Sequence, residues 1–178
     1  MAKKNIKKVI KFYFVWSEDK EAQWLRNMSN KGWHLIKASI FNYTFEKGDP
    51  DDFIYQFDFR MNPSKDEKEY LEIFKISGWE SINKVGGWYY FRKIFKKGEQ
   101  NEIYSDKESL KQKYKKLLGF LFIVGLPLYY NFFIVFRNYE KSGFYKYFWF
   151  FNTFFLILWL YAFIRIIFYV KKISKEQE

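Results

Sequence analysis

Few residues in this chain are of the types that do chemistry. There is no cysteine, which excludes a thiol nucleophile, a disulfide framework and a cysteine-based zinc site. The single histidine, His34, excludes a histidine-rich metal cluster. It follows Trp33 at the start of a strand-like run and reads as an ordinary surface or half-buried residue rather than a base. Asp49, Asp51 and Asp52 gather around Pro50, a turn composition rather than a set of metal ligands. Asp58 has no second carboxylate at a spacing that would make an acid–base pair. No G-x-S-x-G, H-E-x-x-H or phosphate-cradling glycine loop occurs, and Gly86-Gly87 reads as a hairpin turn. The expectation is a protein that is not an enzyme, with no catalytic residue, no metal ligand and no cofactor.

The elements that would position a site can be read from a repeat. Shifting the sequence by 46 places Glu21 on Glu67, Leu25 on Leu71, Gly32 on Gly78 and Trp33 on Trp79. Ile36 then falls on Ile82, Tyr43 on Tyr89, Phe45 on Phe91 and Lys47 on Lys93. Such self-similarity marks a doubled supersecondary unit, at about residues 8–47 and 53–97.

In the first copy KVIKFYFVW alternates as a strand. Ser17 then suits a helix N-cap, with Glu18, Asp19 and Glu21 in the first turn. Ala22, Leu25 and Met28 follow at helical spacing, Gly32 ends the helix, and WHLIKASI with NYTFEK forms a hairpin. The second copy runs FIYQFDFR, a helix opening near Pro63-Ser64 with Asp66 and Glu67, the stripe Tyr70, Leu71 and Phe74, the stop Gly78, and a second hairpin. The expected fold class is α+β. It is a duplicated β-α-β-β, ferredoxin-like arrangement in one antiparallel sheet with two helices on one face, followed by a two-helix transmembrane hairpin.

A sheet covered on one side has an open face. Phe57 and Phe59 are expected to face the helices, and Tyr43, Phe45, Tyr89 and Phe91 to point inward. The open face then carries Lys11, Tyr13, Asp58, Arg60, Trp88, Tyr90 and Arg92. Exposed aromatics beside arginine suit a protein partner or a flat ligand. WYYFRK resembles an RNA-stacking string only faintly, and residues 1–104 carry 19 basic against 15 acidic side chains, so nucleic acid is not the expected partner.

The strings WLRNMSNKGWHL, YTFEKGDPDDFIYQFDFR, EYLEIFKISGWE, WYYFRKIF and IYSD, in that order over about residues 8–106, resemble the bacterial DUF2812 family. Its members carry this domain ahead of C-terminal membrane spans. The family is one of unknown function. Its genes often lie beside those of PadR-type transcription repressors, so the resemblance implies a role in regulation or envelope stress.

The remaining basic excess accompanies the apolar part of the chain. Residues 105–178 hold 12 basic and 5 acidic side chains, within an overall charge of +11. Residues 107–116 form a basic segment before an uncharged run at 117–136, about 30 Å of helix and enough to cross a hydrocarbon core. A short loop, 137–146, leads to a second apolar run at 147–170, which is followed by the tail 171–178. Lys111, Lys113, Lys115, Lys116, Lys171 and Lys172 are the expected contacts with the membrane surface. Pro127 would free a carbonyl in the first span, which Asn131 or the neighbouring helix would satisfy. Arg165 reads as an anchor that snorkels to the interface, or as a contact with a partner helix. With Pro127, Asn131 and Asn152 it makes up the candidate hairpin contacts.

Residues 1–106 are thus expected to be a cytoplasmic domain on a multi-pass anchor in the bacterial inner membrane, with both termini cytoplasmic. The partners expected are the bilayer and a protein, either a transcription regulator or a membrane complex. Homo-oligomerisation stays open. The favoured function is a regulatory, sensing or protein-interaction module, and the alternative is an accessory subunit of a transport or resistance complex.

Overall fold

The computed structural model describes residues 5–60, 66–104, 106–139 and 143–175. Pro63 and Ser64, loop residues 140–142, the side chain of Lys175 and residues 176–178 lie outside the described residues. The chain divides into two units, at Asp106 and Lys107.

The first unit runs β1 (Ile6–Ile10), a short 3-10 turn (Val15–Ser17), α1 (Glu18–Ser29), β2 (Trp33–Ala38), β3 (Asn42–Lys47), β4 (Phe53–Phe59), α2 (Glu67–Ile76), β5 (Glu80–Val85) and β6 (Trp88–Ile94). The β-α-β-β order therefore occurs twice. Each copy makes its own three-stranded antiparallel sheet, in the orders β1-β3-β2 and β4-β6-β5.

Residues 46 apart make the same contacts. The Tyr43 hydroxyl donates to Glu21 at 2.6 Å, and the Tyr89 hydroxyl donates to Glu67. Lys47 caps the Lys31 carbonyl at the end of α1, and Lys93 caps the Ser77 carbonyl at the end of α2. Gly32 and Gly78 both hold a left-handed backbone, with φ of 72° and 82°. The register of β2 on β3 shifts between Leu35 and Lys37, and that of β5 on β6 shifts between Ser81 and Asn83, the same place in each copy.

The sequence reading expected one sheet with both helices on one face, and the structure has two sheets. The bulges explain the break. Strands β2 and β5 lie beside each other, but each is kinked where a continuous backbone ladder would have to form. A side chain bridges them instead: Ala38 N–H donates to Asn83 Oδ1 at 2.8 Å, and Asn83 Nδ2 donates to the Ala38 carbonyl at 2.9 Å.

The helices take opposite faces of the second sheet. Tyr70, Leu71 and Phe74 of α2 cover Ile54, Trp79, Tyr89 and Phe91. On the other face Tyr55, Phe57 and Tyr90 join one cluster with Leu25 and Met28 of α1 and with Leu35, Ala38, Tyr43 and Phe45 of the first sheet. Helix α1 is thus shared by both sheets. Strands β4 and β6 are buried on both sides, which is why WYYF shows no polar alternation. Phe45, Phe91 and Leu25 are fully buried, each contributing about 1.5–3 kcal/mol of apolar burial.

The second unit is a pair of long helices, α3 (Lys107–Arg137) and α4 (Gly143–Lys175). Both are long and apolar enough to cross a membrane, and their most apolar stretches are only 11% buried. The basic segment 107–116 is the first part of α3 rather than a separate linker. The helices meet closely at Gly125. A Cβ there would lie 2.3 Å from the Trp159 ring, whose Nε1–H donates to the Leu121 carbonyl at 3.0 Å. Tyr114 packs on Tyr169, with centroids 4.8 Å apart.

Candidate functional site

The expected open face is closed by the first repeat. Tyr90 is 9% exposed and Trp88 is half-buried, because α1 and the segment before it lie over them. Asp58 is 7% exposed and sits on the opposite face. Its carboxylate accepts the hydroxyls of Tyr70, at 2.6 Å, and of Tyr104, and also the N–H of Phe59. Phe57 does face a helix, but that helix is α1. Arg60 follows Asp58 to the α2 side, its guanidinium 4.2 Å from the Tyr70 ring centroid. The one-sheet reading gave β4 a single apolar face, and the strand has two.

Three of the seven expected residues do converge. Tyr13, Trp88 and Tyr90 line a hollow of about 80 Å³ together with Phe14, Val15, Glu18, Glu21 and Phe57. The 3-10 turn at Val15–Ser17 swings the chain from the end of β1 into α1, which lays Tyr13 across the helix and turns Glu21 inward. Tyr13 packs edge-on to Tyr43 and beside Trp24. Lys11 sits next to this wall, its ammonium 4.9 Å from the Tyr13 ring centroid and 4.5 Å from that of Trp24.

Glu21 is the polar centre of the hollow. It is 7% exposed, and its Oε1 accepts the hydroxyls of Tyr43 at 2.6 Å and of Tyr90 at 2.9 Å. Burial raises its pKa above the ordinary carboxylate range, against the lowering effect of the two tyrosine hydrogen bonds, and nearby Glu18 adds to the rise. Tyr43 and Tyr90 are pushed well above an ordinary phenol, first by burial and then by the Glu21 carboxylate. Such a group can hold or give up a proton inside an aromatic wall, and can accept a hydrogen bond or a positive charge. The hollow falls short of the roughly 300 Å³ at which drug-sized sites begin, so it fits a small group or one inserted side chain.

Arg92 belongs elsewhere. It forms a two-point ion pair with Glu80 at 2.7 and 2.9 Å, approaches the Leu35 carbonyl and lies 4.9 Å from the Phe53 ring centroid. It lines a wider cleft of about 460 Å³ with His34, Glu46, Asp49, Asp51 and Phe53. His34 is half-buried. Its Nε2–H donates to the Asp49 carbonyl at 2.7 Å, and its buried Nδ1 has no partner among the described residues. Asp52 is engaged by Arg26 through two contacts of 2.6 Å, which lower its pKa. Arg92 is thus held by Glu80 outside the cleft, and Asp52 beside it by Arg26. No group of three or more metal-ligating side chains occurs among the described residues.

The hairpin residues are placed as follows. Asn131 donates to the Pro127 carbonyl at 2.9 Å. It does not reach the Ile123 carbonyl, the one that loses its partner at Pro127, because an asparagine side chain folds back only one turn. Asn152 is 7% exposed, and its Oδ1 has no partner among the described residues. Arg165 is exposed, 6.0 Å from the Tyr161 ring centroid. Lys113 is 4% exposed and is therefore withdrawn from any surface role, while Lys115, Lys116, Lys171 and Lys172 are exposed and Lys111 is half-buried.

Sequence reading missed Glu21 as a site residue. Its signal was present: a glutamate on the same helical face as Leu25 and Met28 must be buried or paired.

The comparisons with known proteins bear on the family alone. No curated protein and no solved structure matches the chain. The family described as "Protein of unknown function (DUF2812)" matches residues 17–126. That span begins after β1 and extends into the apolar part of α3, so it starts later and ends further along than the range of about residues 8–106 over which the resemblance runs. Covering well over half of the sequence, it establishes that this chain belongs to the DUF2812 family.

Proposed function

We propose that the chain is a membrane-anchored, non-enzymatic sensing and protein-interaction module of the bacterial inner membrane. The hairpin α3–α4 serves as a multi-pass anchor with both termini cytoplasmic. The first unit is the interaction domain, and its doubled order supports descent from one ferredoxin-like β-α-β-β unit. The observation that carries this reading is the hollow around Glu21, a buried carboxyl walled by Tyr13, Phe57, Trp88 and Tyr90 and built from both repeats. A site shared by two repeats couples its occupancy to how they pack, which is what a sensor needs. The partner we favour is a PadR-type repressor in an envelope-stress response, following the family resemblance.

The test is capture of partners from native membranes by the full chain, compared with Trp88→Ala and Glu21→Gln. Recovery of a transcription regulator by the wild type, lost in both variants while the protein stays folded, supports the reading. Undiminished capture by both variants removes the hollow from the argument.

A second reading is favoured by the hairpin itself. Asn131 and Arg165 stand exposed on apolar helices, and the Asn152 side-chain oxygen has no partner among the described residues. These are groups that a neighbouring transmembrane helix could satisfy. In an accessory subunit of a transport or resistance complex, Asn131→Leu and Arg165→Leu would abolish capture, and Trp88→Ala would not.

A further inference from the structure

One end of the first sheet is apolar and uncovered. Ile10 is 83% exposed, Ile40 63%, Phe41 57%, Phe14 50% and Phe12 47%. The set is contiguous. Lys11 N–H donates to the Phe41 carbonyl at 3.1 Å, which ties the end of β1 to the β2–β3 turn. The Phe12 ring lies 5.4 Å from that of Phe41 and 4.7 Å from that of Phe14, and Phe14 stacks on Trp16 at 4.6 Å. Alternation along residues 10–14 sends Ile10, Phe12 and Phe14 outward and draws Tyr13 in against Trp24 and Tyr43. Phe12 meets Phe14 edge-on and Phe41 at a tilt, so these rings pack on one another at the surface.

The two segments that build the patch carry charge of one sign, and Glu18 lies in the hollow that Phe14 also lines. Residues 5–16 and 35–45, those two segments, contain Lys7, Lys8, Lys11 and Lys37 and no acidic residue. Lys84, which also reaches Glu67 at 3.4 Å, lines the groove beside Ile40 and Phe41. An aromatic and aliphatic tip in a basic frame, on an otherwise mixed-charge domain, has the composition of a surface that enters the headgroup region of an anionic bilayer.

The tether makes such a surface reachable. Only residues 95–106 separate the last strand from α3, a helix apolar enough to cross a membrane. Fully extended, that segment spans about 40 Å at most, so the domain is confined close to whatever membrane holds the helices.

We infer that the tip formed by Ile10, Phe12, Phe14, Ile40 and Phe41 docks into the interface of an anionic lipid bilayer. This rests on the reading that α3 and α4 anchor the chain in a membrane. Because Phe14 and Val15 also line the Glu21 hollow, docking would place that hollow at the membrane surface.

The absence of cysteine makes a direct test possible. Phe12→Cys, Phe41→Cys and Glu72→Cys, the last on the exposed side of α2, are each labelled with an environment-sensitive fluorophore. The full chain is reconstituted into phosphatidylcholine vesicles with and without phosphatidylglycerol. The expected result is blue-shifted emission at positions 12 and 41, strongest with phosphatidylglycerol and quenched by nitroxide-labelled acyl chains, while position 72 reports water. Water-like emission at 12 and 41, in protein that resists alkaline extraction, overturns the docking and leaves the anchor intact. Release of the protein by alkali overturns the anchor instead. A blue shift that nitroxide lipids do not quench, and that fades on dilution in lipid, identifies a second copy of the chain as the cover and overturns the lipid assignment.

Discussion

The side-chain amide of Asn83 pairs with both backbone polar groups of Ala38, accepting from its N–H at 2.8 Å and donating to its carbonyl at 2.9 Å. The amide stands in for a peptide group across the gap between β2 and β5. Shifted by 46, Asn83 corresponds to Lys37 and Ala38 to Lys84, so the bridge has no counterpart in the other direction. Ala38 is 1% exposed, and water cannot easily replace the lost partner. Asn83→Ala should therefore cost about 1–3 kcal/mol. Asn83→Asp should cost more, since a carboxylate cannot donate to the Ala38 carbonyl. Hydrogen exchange of the Ala38 amide reads this directly, and unchanged protection in Asn83→Ala would remove the bridge from the seam.

Glu21 and Glu67 make the same tyrosine contact and shift in opposite directions. Burial raises Glu21, whereas the Tyr89 hydrogen bond, helped by Lys84, lowers the more exposed Glu67. A carboxyl raised in the folded state holds its proton more tightly there than in the unfolded chain. Its stabilisation is complete below the ordinary carboxylate pKa and fades as pH rises through the folded value. Glu21→Gln should thus gain stability relative to wild type between about pH 4 and pH 8. Glu67 has the reverse sign: its contribution exists above the ordinary pKa and disappears as pH falls through the lowered one. Glu67→Gln should accordingly lose stability relative to wild type on a rise from about pH 2 to pH 6. Unfolding midpoints of each variant at the two ends of its own pH range provide the check, and slopes of equal sign would contradict the burial difference.

Gly32 and Gly78 share a backbone conformation but not a neighbourhood. A side chain at either meets the left-handed penalty of roughly 1–2 kcal/mol. At Gly32 a Cβ would also lie 2.4 Å from the Gly48 carbonyl oxygen, which is backbone and cannot step aside. At Gly78 the nearest atom is Lys93 Cε at 3.3 Å, on a flexible side chain. Gly32→Ala should destabilise clearly more than Gly78→Ala, as thermal unfolding of the two variants side by side would show. Equal losses would mean that the loop at Gly48 yields.

Much of this was legible in the sequence because the repeat was. Glu21 with Tyr43 and Glu67 with Tyr89 fall on one another at a shift of 46, and both pairs are hydrogen bonds in the structure. Helix starts rich in acid and stops at glycine are local signals, and they survived. The placement of the second copy on the first was not legible. It depends on which face of β6 the first repeat covers, and Trp88, Tyr90 and Arg92 alternate with Tyr89 and Phe91 whichever face is open. The unbroken run WYYF did carry the warning, since a strand with one wet face does not place aromatics on both sides. Glu21 went unnoticed because its second partner, Tyr90, is 69 residues away.

Gly125 and Trp159 fix the closest approach within the α3–α4 pair. A Cβ at Gly125 would enter the indole, and that indole also donates to the Leu121 carbonyl. Small residues at such crossings let helices approach where no water drives them together. Gly125→Val should push the ring away and lose both packing and hydrogen bond, lowering the thermal stability of the detergent-solubilised chain. Trp159→Phe keeps most of the packing and removes the N–H, a loss of about 0.6 kcal/mol and at most about 2. The two sites touch, so their effects should not add. In Gly125→Val with Trp159→Ala, the space vacated by the indole receives the valine, and the double variant should be more stable than the summed single losses by about 0.5 kcal/mol or more. Strict additivity in that cycle would show that the helices do not cross at this pair.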